Sequence, residues 1–362
     1  MGVHARQMEH LQGVVRETML QNHIPGLSLA VIDHGQLVWA QGFGWRDRSG
    51  HFPVDTNTQF QAGSISKPVS ALGILLLQAE GRVDLDADVN RYLKGWQLES
   101  KFTNGPVTLR QLLCHRAGVT PHGFLGFRES KIPPTLLEVL NRHYFFNGPI
   151  RVKYLPGSKY EYSGGGYCVA QKVIEDVAGQ PFETAMAQRL FQPLGMHRSD
   201  FSQPPADISQ LAQGHSGLGQ IIFPGRWRLF PQKAAAGLWT TPSDLARLIV
   251  ALQTAMAGKG GPVISWPIAQ ACLTPQFDDW QGIGFRLDAR SNDRGFYHYG
   301  ENIGYHAGFG AGVSNGRAWV IMTNTHKNKL DPILNAIAEE FGWTPLPRDR
   351  PVRDVPSRNQ AN

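Results

Sequence analysis

The stretch that decides the fold, residues 60–83, reads FQAGSISKPVSALGILLLQAEGRV. Within it, Ser64 and Lys67 form an S-x-x-K pattern, and a long apolar run follows directly. Because positions i and i+3 lie on one face of a helix, the Lys67 amine can reach the Ser64 hydroxyl. The run is apolar almost all round, which is typical of a buried helix, and Pro68 fits only near a helix start. The stretch therefore predicts a serine and a lysine at the N-terminus of a buried helix.

A lysine beside a serine hydroxyl can activate it in two ways. A neutral amine takes the hydroxyl proton, whereas a charged amine makes that proton easier to remove. The four-residue pattern is common, and a solvated helix start is the alternative interpretation. Gly63 just before the pattern and the apolar helix just after it favour a functional serine. A lysine next to a buried apolar helix is costly unless its amine has a partner or a function.

Sequence patterns typical of strands occur near both ends of the chain, and patterns typical of helices occur between them. Residues 5–22 have apolar residues near helical spacing, and residues 27–47 predict two strands around a turn at His34–Gly35. From about residue 282 the strand pattern returns as GIGFRLDAR, GFYHYG, YHAGFGAGVSNG and RAWVIMTNT, and PILNAIAEEFG predicts a last helix. We therefore predict an α+β fold: one antiparallel sheet from both chain termini, flanked by helices, with an inserted mostly helical domain.

The expected organisation is a single catalytic unit over residues 1–345. Its α/β subdomain takes about 1–83 and 235–345, its helical subdomain about 84–234, and 346–362 form a mobile tail. Apolar residues make up 41% and charged residues 18%, which excludes a disordered polyampholyte. The net charge of +6 is mild and forms no dense basic stripe in the body, so we expect no nucleic-acid partner.

Cysteine usage and hydropathy bear on the compartment. The three cysteines lack CxxC spacing, which argues against a disulfide framework and a structural zinc site. The N-terminus lacks the apolar core of a signal peptide, and no stretch has the apolar length that spans a bilayer. We expect a cytoplasmic protein without a membrane partner, a processed exported form being the alternative.

Five ordered stretches resemble the serine β-lactamase and penicillin-binding-protein superfamily. The class C-like branch is most similar, and it also contains D-aminopeptidases, carboxylesterases and acyltransferases. The stretches are GSISKP (63–68) with EGRVDLD (80–86), VTLRQLLCH (107–115), PG (156–157) with YEYS (160–163), AAGLWTTPSDL (235–245), and HYG (298–300) with GY (304–305) and TN (323–324). The resemblance covers roughly residues 10–340, and five ordered motifs are far more specific than one.

The resemblance implies roles for three side chains. Ser64 would be the nucleophile, Lys67 its activating partner, and Tyr162 the second proton-transfer group. A tyrosine beside a lysine ammonium can act as a base at moderate pH. Only the match to the family's Y-S pair selects Tyr162 over three neighbouring tyrosines: Tyr154, Tyr160 and Tyr167.

The third motif of the family implies the substrate-binding residues. His298 stands where β-lactamases usually carry lysine, and it could donate to a substrate carboxylate or carbonyl, or orient Tyr162. Gly300 would let the substrate backbone approach closely. The backbone N–H groups of Ser64 and Glu301 would form the oxyanion hole.

One position departs from the family. Gly164 replaces the asparagine that contacts the acyl-amide group of lactam substrates, and we expect Gly164–Gly166 to loosen the loop. Lactam hydrolysis as the main task is therefore disfavoured, whereas ester or small-amide turnover is compatible with the change.

The sequence thus predicts a serine hydrolase that acts through an acyl-enzyme on Ser64. Its partner would be a small-molecule ester, amide or peptide, and no cofactor or metal is implied. An acyltransferase, a β-lactamase and a non-catalytic penicillin-binding-like protein of the same fold are the alternatives. The oligomeric state does not follow from the sequence.

Overall fold

The structure, a computed structural model, describes residues 2–103, 105–141, 149–216, 225–288, 294–326 and 329–346. The first helix spans Gly2–Gln21, as the helical spacing predicts. The PPTLLEVLNRHYF stretch forms a helix only up to Asn141 within these ranges. Its remainder lies outside them, as does the tail predicted over 346–362 apart from its first residue. The helices are α1 Gly2–Gln21, α2 Ser66–Ala79, α3 Leu109–Leu113, α4 Leu136–Asn141, α5 Gly164–Ala178, α6 Phe182–Met186, α7 Lys233–Ala236, α8 Pro242–Met256, α9 Trp266–Leu273 and α10 Asp331–Glu340.

The strands come mainly from the two ends of the chain. They are β1 Gly26–Asp33, β2 Gln36–Gly44, β3 Phe60–Gln61, β4 Val119–Thr120, β5 Phe127–Arg128, β6 Arg151–Val152, β7 Arg228–Leu229, β8 Trp239–Thr240, β9 Arg286–Asp288, β10 Gly295–Asn302, β11 Tyr305–Gly312 and β12 Ala318–Thr323. Six of them form one antiparallel sheet in the order β2-β1-β12-β11-β10-β9. The first strands of the chain thus pair with the last, which confirms the predicted fold class.

Each face of this sheet packs against its own helices. Along β1, Leu27, Leu29 and Val31 join a core with α1 and α10 on one face. Ala30 and Ile32, which alternate with them, join the larger core on the other face, together with α2 and α8. The division into an α/β and a helical subdomain stays a prediction.

Helix α2 is buried along almost its whole length, as its apolar sequence predicts. It belongs to the larger core and contacts α5, α7 and α9. The short turn that leads into α2, Gly63–Ile65, lies against strand β10, and it thereby places Ser64 at the sheet.

Candidate active site

Ser64 lies on a single turn of 3₁₀ helix, Gly63–Ile65, which runs straight into α2. Gly63 has a φ of +51°, a conformation that residues with a side chain rarely adopt. A Cβ built on Gly63 would also lie 2.6 Å from the backbone nitrogen of Glu301. Both the positive φ and the close contact with Glu301 require glycine at position 63, directly before Ser64.

Lys67 contacts the Ser64 hydroxyl directly. Its Nζ donates to Ser64 Oγ at 3.0 Å and to the carbonyl of Ala235 at 2.8 Å. The ring centroid of Tyr162 lies 4.8 Å from the same nitrogen. Lys67 is only 3% exposed, and a buried amine is tolerated only with such partners. The contact between the Lys67 amine and the Ser64 hydroxyl, which the i, i+3 spacing predicts, is therefore present.

The backbone of β10 packs against the turn that carries Ser64. A Cβ on Gly300 would lie 1.9 Å from the Ala62 carbonyl oxygen and 2.7 Å from the Ser64 nitrogen. This contact of residues 62–64 with residues 300–301 is termed the Ser64 junction. The sequence analysis predicted that Gly300 would let the backbone of a substrate approach closely. In the structure the backbone of residues 62–64 lies against Gly300, so the chain's own packing requires glycine there. The junction brings the backbone nitrogens of Ser64 and Glu301 near one another, and their oxyanion role stays a prediction.

Tyr162 lines the same cavity as Ser64 and Lys67. It stands just before Ser163, whose side chain caps α5 by accepting the N–H of Gly166. Its ring contacts two imidazoles, those of His115 at 4.3 Å and His122 at 4.8 Å between centroids. A phenol therefore stands beside the serine–lysine pair, and its proton-transfer role stays a prediction.

The competing tyrosines lie in different surroundings. Tyr167 is fully buried, and its hydroxyl donates to the Leu113 carbonyl at 2.9 Å. Tyr154 packs against the side chains of two lysines, Lys153 and Lys159. Tyr160 does line the cavity, but burial raises the pKa of its phenol, so it is less readily ionised to a phenolate than an ordinary tyrosine.

His298 is a neutral side chain of the cavity. Burial, then the charges of Arg286 and Lys67, hold its pKa well below the usual histidine range. Its Nδ1 lies 2.7 Å from the Tyr299 carbonyl oxygen, which can only accept, so the ring proton sits on Nδ1. Nε2 is left as an acceptor for a tyrosine hydroxyl or a substrate N–H. Donation to a carboxylate, one of its expected roles, would need a proton that this environment disfavours.

His115 holds the residue that caps α5. The side chain of this histidine bonds to the backbone of Ser163, the residue just before α5. Its Nδ1 accepts the Ser163 N–H at 3.0 Å, and burial holds its pKa well below the usual range. The residue has a φ of +57°, so the chain turns sharply after α3 to deliver the ring.

The three glycines after Ser163 do not form a loose loop, so that prediction is wrong. Gly164–Gly166 are buried and form the first turn of α5. A Cβ on Gly165 would lie 2.4 Å from the Thr120 carbonyl oxygen, and one on Gly164 would lie 2.9 Å from the Phe124 ring. Glycine serves close packing here and does not add flexibility.

Sequence reasoning missed several cavity residues. Arg286 lies on β9 opposite Tyr297, and its side chain hydrogen-bonds the Tyr160 hydroxyl. A charged residue directly after the uncharged residues 282–285 of a predicted strand was the signal that could have identified it. Asn302 donates to the Gln61 side chain at 2.8 Å and to the Ala236 carbonyl at 3.0 Å, which ties β10 to the segment that holds Lys67. The missed residues are His122, Arg286, Asn302 and His306.

The cavity measures about 650 Å³, a size that suits a small ligand. Within the described residues, no group of three or more His, Cys, Asp or Glu side chains is arranged to hold a metal ion. None of the helices in that part of the chain has the length and apolar character needed to cross a membrane.

Known proteins share this architecture. A family model described as Beta-lactamase matches residues 11–341. The teichoic acid D-alanine hydrolase of Staphylococcus aureus (strain MRSA252) is 26% identical over 274 residues, which cover 75% of this chain and 65% of that protein. The chain spans 45% to 65% of the length of the curated relatives that it matches.

Solved structures agree in fold. The octameric penicillin-binding protein homologue from Pyrococcus abyssi superposes with a TM-score of 0.73 at 22% identity, covering 93% of this chain and 78% of that one. The D-amino acid amidase from Ochrobactrum anthropi SV3 gives a TM-score of 0.71 at 22% identity, covering 92% of this chain and 99% of that one.

Proposed function

The chain belongs to the Beta-lactamase family, and on that premise we propose that it is a serine hydrolase that forms an acyl-enzyme on Ser64. The observation that carries the proposal is the hydrogen bond of 3.0 Å from Lys67 Nζ to Ser64 Oγ inside the cavity. A serine becomes a nucleophile when a neighbouring group removes its proton or makes it easier to remove. The proposed substrates are small esters, amides or peptides, in keeping with the size of the cavity.

In the proposed acylation step, the Ser64 oxygen attacks the carbonyl carbon of the substrate. Lys67 orients that oxygen, because its amine is held by both Ser64 and Ala235. The serine proton passes to Tyr162, whose ring lies beside the lysine, and from there to the leaving alcohol or amine. The backbone N–H groups of Ser64 and Glu301 stabilise the negative oxygen of the tetrahedral intermediate.

Deacylation reverses the proton path. A water molecule attacks the acyl-enzyme carbonyl and gives its proton to the same base, and Ser64 departs with a proton. His298 can assist without changing charge, because its neutral ring offers an acceptor to the Tyr162 hydroxyl or to a substrate N–H.

The alternative functions differ in the fate of the acyl-enzyme. An acyltransferase would pass the acyl group to an alcohol or amine, and a non-catalytic relative would keep it. The hydrogen-bonded pair of Ser64 and Lys67 favours turnover over a silent protein. A β-lactamase is disfavoured, since the buried Gly164 offers no amide to a lactam substrate.

A reducing compartment, the cytoplasm, is the proposed location. All three cysteines are free and buried. Burial raises the pKa of the Cys114 thiol to about 12, so this residue is an unreactive core side chain. Cell fractionation with an antibody against the chain would test the location.

Labelling with a fluorophosphonate probe tests the function. The wild-type protein should be labelled, and Ser64→Ala should lose labelling by several orders of magnitude while its circular dichroism stays unchanged. Ser70→Ala is the matched control: Ser70 is buried on α2, the helix that follows Ser64, and its hydroxyl has no hydrogen-bond partner among the described residues. Labelling of Ser64→Ala at the wild-type rate would assign the nucleophile elsewhere.

A further inference from the structure

Residues 122–124 and Gly164 line part of the cavity. Together with the adjoining residues 120, 121 and 165, they are termed the Phe124 wall. The Gly164 N–H donates to the His122 carbonyl at 2.8 Å, and the Gly165 N–H donates to the Pro121 carbonyl at 3.0 Å. The first N–H groups of a helix have no partner within the helix. Here the main chain supplies the partners, so the wall is fastened to the start of α5.

Packing gives the wall its shape. A Cβ on Gly164 would meet the Phe124 ring at 2.9 Å and the His122 carbonyl oxygen at 3.1 Å. The Phe124 ring therefore occupies the space that a side chain at position 164 would need. The ring also packs against the larger core, which limits its movement.

The wall differs in chemistry from the strands that also line the cavity. It presents the Phe124 ring and the imidazole of His122, whose pKa is lowered by burial and by the Lys67 charge. Glu161, a carboxylate near this imidazole, pairs with Lys159 at 3.1 Å. Strands β9 and β10 line the cavity with polar side chains, among them Arg286.

We propose that the Phe124 wall selects the acyl group of the substrate, and that it accepts an apolar acyl chain in preference to one with an amide or ammonium next to the carbonyl. An apolar chain gains free energy when it leaves water for the ring. An amide or ammonium against the same ring loses hydrogen bonds to water. We place a polar leaving group beside the charged Arg286, and we assign the acyl chain to the Phe124 wall. The inference rests on the proposed hydrolase function.

Esters with one leaving group and different acyl groups test the inference. We would measure kcat/KM for the p-nitrophenyl esters of acetate, butyrate, phenylacetate and N-acetylglycine. The wild-type protein should prefer butyrate and phenylacetate to N-acetylglycine by about tenfold or more, the scale of a few methylene contacts. Phe124→Ala should lower kcat/KM for these two preferred esters by about tenfold and leave acetate within about twofold.

Two further variants separate selectivity from folding. Phe124→Leu keeps an apolar side chain and should retain most of the butyrate preference. Phe52→Ala removes an exposed aromatic residue elsewhere and should change no ratio. Gly164→Ala should lower the melting temperature, and Phe124→Ala in the same chain should recover part of that loss, since the clash with the ring disappears.

Each outcome decides between the two proposals. If no ester is hydrolysed and the fluorophosphonate does not label Ser64, the hydrolase function and the inference both fail. If the esters are hydrolysed but Phe124→Ala leaves the butyrate-to-acetate ratio unchanged, or N-acetylglycine is the preferred acyl group, only the inference fails.

Discussion

Replacing His115 should reveal what holds the proposed base in place. In His115→Ala the buried Ser163 N–H loses its acceptor at 3.0 Å, which costs about 1–3 kcal/mol. The missing ring also removes contacts to Tyr160, Tyr162 and Tyr167, and truncation in a core costs at least about 2 kcal/mol. The free energy of unfolding should therefore fall by about 3–5 kcal/mol.

His115→Asn separates the hydrogen bond from the ring. Asparagine tolerates a positive φ, here +57°, and its side-chain oxygen can accept the Ser163 N–H. This variant should lose only the packing share of the free energy, about 2 kcal/mol. Both variants lack the ring that packs on Tyr162, so both should show kcat reduced by about tenfold, the scale of a small misplacement of a proton carrier.

Urea unfolding followed by circular dichroism, with kcat measured on a p-nitrophenyl ester, checks both expectations. Equal free energies of unfolding for the alanine and asparagine variants would show that the hydrogen bond to Ser163 carries no weight. A wild-type kcat in His115→Ala would show that the ring does not position Tyr162.

Four more predictions concern the proposed chemistry. Tyr162→Phe should stay folded and lose at least about 10²-fold in ester kcat, the scale for a lost acid–base group; near-wild-type turnover would move the role to Tyr160. His298→Ala should raise KM more than it lowers kcat, and a pure kcat loss would contradict substrate contact. Burial holds the pKa of His298 below 6.5, so the unfolded chain binds that proton first as the pH falls. Relative to His298→Gln, the wild-type protein should lose up to about 1.4 kcal/mol of stability per pH unit below about pH 6.5 and none above it; parallel pH profiles would refute this. Short-chain esters should be hydrolysed clearly faster than nitrocefin, and a nitrocefin kcat/KM of about 10⁷ M⁻¹s⁻¹ would contradict the ester assignment.

The sequence determines the fold well where a local pattern and a long-range requirement agree. The strand patterns at both ends of the chain could be satisfied only by pairing, and β1 does pair with β12. The S-x-x-K spacing was equally informative, because helical geometry alone brings Lys67 to Ser64. Tyr162 was separable from its neighbours only through the family resemblance, since four tyrosines lie within fourteen residues, 154–167.

The remaining site residues depend on contacts that local sequence does not encode. Arg286 reaches the cavity because β9 pairs with β10, a register set by the whole sheet. Gly164 and Gly165 were interpreted as flexible because a glycine run is typical of loops. Their actual role depends on residues 120–124, about forty positions earlier, which pack against them. Such close approaches between distant segments are visible only once the chain has folded.

The Ser64 junction has a consequence for the biosynthesis of this chain. Ser64, the proposed nucleophile, and strand β10 are more than 230 positions apart in the sequence, and Gly300 must pack against Ala62 before the turn that carries Ser64 is complete. In a nascent chain that does not yet contain β10, the turn that carries Ser64 therefore lacks the strand against which it packs. Reactivity with a fluorophosphonate should consequently appear only after β10 has been synthesised and has packed against residues 62–64.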